Sequence, residues 1–289
     1  VVCTSVSGTA TLYTKKGATG VYQGIRNTTA GTIPTASKDG YVFQGWYTAS
    51  TGGNKVLNAN GTFTGTAVTN YTTASAWNVT ANQALYAQCT RDSYTISYTM
   101  NNGTNNANNP TSYNVESSAI TLQAPTKTLI FHGNVNATAG ANANTLGGAN
   151  GITIGADTTA EQRFAGWTGS NGSTAQTSVT IPTGSTGDKS YTAHWQPDPT
   201  NHPIVLPTVT KTGYECGWST SASGTIIQYA SGATDYPTSA ITESQAATVN
   251  LYAVCTARNY TVTANANGGT IESTEGWNGT GASATKSVT

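Results

Sequence analysis

Short runs in which apolar and polar residues alternate recur along the whole chain. They include "TATLYTK" (9–15), "YVFQGWYTAS" (41–50), "ALYAQCT" (84–90), "SYTISYT" (93–99), "SYTAHWQ" (190–196), "NLYAVCT" (250–256) and "NYTVTAN" (259–265). A period of two places alternate side chains on opposite faces of a strand. The runs are rich in Tyr, Thr, Val and Trp, which fit a pleated, half-buried surface, and Gly, Asn and Ser separate them as turn residues. Leu, Met, Glu and Lys, from which helices are built, are sparse. The pattern predicts an all-β or mainly β fold with little helix.

The runs are also copies of one another. "YVFQGWYTAS" returns as "RFAGWTGS" (163–170) and "YECGWSTS" (214–221). Each Gly-Trp run is followed by one of the "ALYAQCT" type, and two of those lead into a Tyr-Thr run ending in an Asn/Gly turn. A fixed order of this kind is the mark of a repeat architecture. It predicts residues 1–4 as the last strand of a preceding repeat, 5–91 as module 1, 92–197 as module 2 and 198–257 as module 3. Residues 258–289 then open a further module. Module 2 carries a Gly/Ala/Asn-rich insert at 128–162 that reads as a long functional or flexible loop. Module 3 lacks an opening Tyr-Thr strand, and Tyr260–Ala264 is a candidate to complete it.

The order Y-T-x-T-x-x-x-N-G-G-T, then L-P-T-x-T-K-x-G-Y-x-F-x-G-W, then L-Y-A-x-W resembles the Listeria–Bacteroides repeat, the family of the internalin B B-repeat. Tyr260–Thr270, Leu206–Trp218, Gly40–Trp46, Leu85–Ala87 and Leu251–Ala253 carry the resemblance. It implies small β-grasp-like modules strung in an elongated arrangement along bacterial surface or secreted proteins, with roles in adhesion and presentation. Cys89 and Cys255 depart from the family by standing where Trp is usual, while Trp195 keeps it.

The recurring aromatics read as a core needed once per module rather than as a ligand platform needed once. The expected core is Phe43, Gly45, Trp46 and Tyr86 in module 1, and Phe164, Gly166, Trp167 and Tyr191 in module 2. In module 3 it is Gly217, Trp218 and Tyr252. Phe43 and Trp46 lie three positions apart, on opposite faces of a regular strand, so a bulge at Gly45 is needed to bring both to one face. Trp77 and Trp277 do not recur and are the better candidates for exposed contacts.

Four cysteines in a low-charge chain suggest disulfides. Cys216 and Cys255 share module 3 and form the preferred pair. Aligned on Gly-Trp, Gln44 stands where module 3 has Cys216, which leaves Cys89 to Cys3, or Cys3 to a residue outside the chain.

Charged residues make up 8% of the chain and the net charge is +0. Without a basic stripe, nucleic acid is excluded as a partner, and no apolar run is long enough to span a membrane. His132, His194 and His202 stand outside any catalytic or metal-binding spacing, so neither an enzyme nor a cofactor is expected. Lys55 and Lys127 are the candidates for an internal Lys–Asn amide crosslink of the kind that suits a surface fibre. The function expected is an extracellular stalk or fibre on a bacterial surface, with neighbouring modules or copies as partners joined by strand addition. The alternative is an adhesin that grips a host protein or glycan through 128–162 or exposed aromatics.

Overall fold

Alternation wins throughout. The computed structural model describes residues 5–7, 13–16, 21–24, 35–75, 77–78, 81, 83–135, 151–272 and 275–288, and among them only Thr238–Ala240 is helical, as a single 3-10 turn. The chain divides into two units. Unit 1 comprises Val1–Thr99, Ala107–Gln123 and Trp167–Tyr191, and unit 2 comprises Met100–Asn106, Ala124–Gly166 and Thr192–Thr289. The residues expected as module 2 are therefore shared between the two.

In unit 1, β1 (Ser5–Ser7) pairs with β4 (Thr35–Ser37) and β2 (Tyr13–Lys16) with β3 (Val21–Gly24), all antiparallel. The central sheet runs β6-β5-β7, with β5 (Tyr41–Tyr47) between β6 (Lys55–Asn58) and β7 (Tyr86–Arg91). Trp46, Val56, Leu57, Val68, Ala87 and Cys89 fill the core beneath it. A second group of aromatics joins β8 (Tyr94–Thr99) to the later part of the chain. Tyr98 packs 5.7 Å from Trp167 and 6.3 Å from Tyr191, and burial pushes its hydroxyl up to about 12. The short strands β9 (Ser112–Tyr113) and β10 (Ile120–Thr121) pair with β8 and with β15 (Thr180–Ile181).

Among the described residues the larger core cluster lies in unit 2. β11 (Thr128–Asn134) lies between the first half of β13 (Thr158–Gly169), antiparallel, and β20 (Thr248–Ala257), parallel. β20 pairs in turn with β18 (Tyr214–Ser219), and β18 with β19 (Tyr229–Ala230). β12 (Thr153–Ile154) pairs with β17 (Val209–Thr210). Leu129, Phe131, Leu206, Val209, Trp218, Val249 and Leu251 are the heart of this core. The remaining strands are β14 (Gly172–Gln176), which folds back on the end of β13 in unit 1, and β16 (Lys189–Pro197). A closing hairpin in unit 2 joins β21 (Tyr260–Asn265) to β22 (Ser283–Val288).

Two expectations are corrected here. The stretch 128–162 is not simply a loop. Its ends are the core strands β11 and β13, and residues 136–150 lie outside those described. The strand beside β20 is β11, from far upstream, while Tyr260–Ala264, the candidate to complete module 3, pairs with β22 instead. β11 reads "TLIFHGN" and bears no Tyr-Thr signature, yet Leu129 and Phe131 alternate inward as buried strand residues do.

Candidate functional site

The Gly-Trp strands are built around one cross-strand position. In β5, Tyr41 faces Arg91 and Phe43 faces Cys89, after which the register shifts and Gly45 faces Gln88 and Trp46 faces Ala87. Two residues, Gln44 and Gly45, thus oppose the single Gln88, which is a β-bulge. The bulge turns Phe43 and Trp46 to the same face, where their rings meet edge-on at 5.6 Å. Gly45 sits at φ +129°, and a Cβ there would lie 2.2 Å from the Leu57 carbonyl oxygen, so only glycine fits. Gly166 has the same positive φ, and Phe164 meets Trp195 edge-on at 5.9 Å in unit 2.

β18 makes the same contact without a bulge. Cys216 faces Cys255, Gly217 faces Val254 and Trp218 faces Ala253 in unbroken register. Tyr214 to Trp218 is one residue shorter than Tyr41 to Trp46, and the missing residue is the bulged one. Cys216 therefore takes the place of Phe43, opposite the cysteine of the last strand, and not that of Gln44; aligning the two strands on Gly-Trp alone had hidden the deletion. Cys216 and Cys255 form a disulfide. Cys89 is also disulfide-bonded; Cys3, the partner expected for it, lies outside the described residues.

Trp46, Trp167, Trp218 and Tyr191 are buried, as are the three glycines, while Phe43, Phe164 and Tyr252 are half-buried. Tyr86 is a correction, being 40% exposed. Ala87 and Cys89 point into the core of unit 1, so alternation sends Tyr86 to the other face, just as Leu251 and Ala253 point inward around Tyr252. Tyr191 is the counterpart of Leu251, not of Tyr86. Trp77 stacks edge-on against Phe63 at 5.3 Å beside the core of unit 1, and Trp277 is half-buried.

Lys127 is 2% exposed in unit 2. Its Nζ donates to the main-chain carbonyls of Asn101 (2.8 Å) and Glu243 (2.7 Å), and desolvation holds its pKa below the ordinary lysine value. The Glu243 carboxylate accepts from the Trp195 amide at 3.2 Å and pairs with His194 at 2.5 Å. The Trp195 indole donates to the Met100 carbonyl at 2.9 Å, and Gly103 lies so close beneath the ring that a Cβ would meet it at 2.2 Å. Asn101 and Asn102 take the left-handed conformation that this tight Asn/Gly turn requires. A buried ammonium bound to two carbonyls is a structural pin between the Asn/Gly turn and the 243 region. Lys55, half-buried in β6, stands beside Gly45.

In unit 1 the loop that carries Val115 and Glu116 clamps the turn before β5 to the end of β7. The Glu116 carboxylate accepts hydrogen bonds from the Tyr41 hydroxyl and from Arg91, the latter at 2.8 Å. Val115 lies directly over Gly40, where a Cβ would meet it at 2.5 Å. The Tyr41 hydrogen bond, aided by the charges of Arg91 and Lys38, holds Glu116 below its ordinary carboxylate value. No sequence motif marks this contact, because it joins residues far apart through one loop side chain.

The three histidines pair with carboxylates at the surface: His132 with Asp157, His194 with Glu243 and His202 with Glu161. Among the described residues no group of three or more His, Cys, Asp or Glu is placed to hold a metal ion, and no helix is long and apolar enough to cross a membrane.

No curated protein and no solved structure matches the chain. The family model described as the Listeria-Bacteroides repeat domain matches residues 8–88. That family is typical of bacterial surface and extracellular proteins and is generally non-catalytic. Residues 8–88, which hold the run from Gly40 through the bulged Phe43–Trp46 strand to the Leu-Tyr-Ala strand, thus match a Listeria-Bacteroides repeat domain.

Proposed function

We propose that the chain is a non-catalytic stalk of a bacterial surface protein, in which consecutive repeats are locked together by strands and loops that cross from one repeat to the next. The observation that carries this reading is β11. It precedes the Gly-Trp strand β13 in sequence and pairs with it, yet on its other side it completes the sheet of β18 and β20 parallel to β20. Repeats threaded in this way cannot separate without breaking a core sheet, a property suited to a load-bearing stalk. The Glu116 clamp acts in the same sense, while the Cys216–Cys255 bridge holds β18 to β20 within one sheet. The same logic extends to strand addition between copies, with the β21–β22 hairpin as the element offered. An adhesin acting through 128–162 or through Trp77 is less well supported, since the described ends of that stretch are core strands and Trp77 packs against Phe63. Electron microscopy of the native protein tests the reading. Thin stalks or filaments are expected, and compact globular particles would refute it.

A further inference from the structure

The turn under the Glu116 clamp has a counterpart in unit 2. In unit 1 the turn Lys38–Tyr41 closes with the Tyr41 amide donating to the Lys38 carbonyl at 3.0 Å, and the Lys38 ammonium sits 4.2 Å from the Tyr41 ring centroid. In unit 2 the turn Lys211–Tyr214 closes identically at 3.1 Å, with the Lys211 ammonium 4.5 Å from the Tyr214 ring. Gly40 and Gly213 share a left-handed backbone, at φ +76° and +80°. The Asp92 amide donates to the Gly40 carbonyl, and the Arg258 amide to that of Gly213. Ala257 takes the register position of Arg91, and the guanidinium is carried one residue further on by Arg258.

What differs is the occupant. Over Gly40 stands Val115, and Glu116 reaches Tyr41 and Arg91. Among the described residues nothing lies within 4 Å of a Cβ position over Gly213, and Arg258 has no ion pair. A pocket of about 450 Å³ opens there, lined by Lys211, Gly213, Tyr214, Glu215, Arg258 and Tyr260 among others. Arg258, Tyr214 and Tyr260 line it together with one acidic residue, Glu215, which occupies the position that Val42 holds in β5. Tyr260 pairs with Val288 as Tyr94 pairs with Tyr113, the residue from which the Asn114–Ser117 loop departs.

We propose that this pocket is a docking site for an acidic peptide segment, a Val-Glu loop of the Asn114–Ser117 kind presented by a further module. The valine covers Gly213, and the carboxylate accepts from the Tyr214 hydroxyl and the Arg258 guanidinium. The proposal rests on the reading of the chain as a series of clamped repeats, and adds the chemistry by which one repeat grips the next.

The probe is the capped peptide Ser-Tyr-Asn-Val-Glu-Ser-Ser, the chain's own residues 112–118, titrated into the full 289-residue protein and followed through the amide resonances of Gly213, Tyr214 and Arg258. Saturable shifts are expected with a Kd on the order of 1 mM. The same peptide carrying Glu→Gln should bind at least about fivefold more weakly, because a charge-assisted hydrogen bond is lost. In the Arg258→Gln protein the two peptides should become equal. No saturable shift, equal binding of both peptides to the native chain, or an unchanged preference in Arg258→Gln would each overturn the proposal. The peptide comparison needs no altered protein and so stands even if Arg258→Gln fails to fold. A null titration leaves the stalk reading to the micrographs, and globular particles that still bind the peptide would refute the stalk while sparing the pocket.

Discussion

β5 and β18 solve one problem in two ways. Each must present a tryptophan to its core and place a second side chain beside it, opposite the cysteine of the neighbouring strand. β5 uses six residues from Tyr41 to Trp46, a bulge at Gly45 and the ring of Phe43. β18 uses five from Tyr214 to Trp218, keeps regular register and replaces the ring by a covalent bond from Cys216 to Cys255. A one-residue deletion thus removes the bulge without turning any core residue outward, because the side chain before it changes with it. A repeat family can therefore exchange packing for a crosslink at a fixed position in its sheet.

The largest expected effect tests what the two strands share. Trp46→Ala and Trp218→Ala should each destabilise their unit by ~3–5 kcal/mol in chemical denaturation followed by circular dichroism. Trp218→Ala should stand at the upper end, since it also strands the Pro207 carbonyl that the indole bonds at 2.7 Å. Next comes the difference itself. Replacing Cys216 and Cys255 together by Ser releases a bridge with a sequence separation of 39, worth up to about 4 kcal/mol in the chain-entropy model. A loss measured on unit 2 alone is expected, with β5 and its neighbours unchanged.

A smaller change sharpens the alignment. Inserting one Gln between Cys216 and Gly217 restores the spacing of β5. If Cys216 stands for Phe43, the insert becomes the bulge residue, the disulfide still forms in non-reducing peptide maps, and the cost stays at about 1–2 kcal/mol. A free thiol at Cys216 would show that the correspondence is wrong. The smallest effect concerns the clamp that only β5 carries. Glu116 has a folded pKa below its unfolded value, so its stabilisation is present above the ordinary carboxylate value of 4.5 and is lost as pH falls through the lower folded value. NMR titration of the Tyr41 ring should show a transition below pH 4.5 that Glu116→Gln abolishes.

Much of this was legible in the chain. The period-two runs gave the strands, and the odd spacing of Phe43 and Trp46 demanded the bulge at Gly45. Shared membership of one module pointed to Cys216 and Cys255. The misses have physical causes. β11 carries Leu129 and Phe131 inward but none of the Tyr-Thr signature, and its pairing with β20 depends on the topology rather than on any local pattern. Tyr86 departs from the expected core because Leu-Tyr-Ala and Ser-Tyr-Thr-Ala align by one Tyr although their inward faces differ by one residue. Glu116 and Lys127 act through single long-range contacts that composition and spacing do not encode.

The central claim is that β11 is the strand that completes the sheet of β18 and β20. Residue-resolved amide hydrogen exchange on native protein and on Phe131→Ala tests it most directly, since Phe131 is fully buried against Tyr236 at 5.3 Å. Loss of protection in Val249–Cys255 together with Thr128–Asn134 is expected, with β5 and β7 unaffected. Full protection of Val249–Cys255 in the variant, with Thr128–Asn134 exchanging freely, would contradict it.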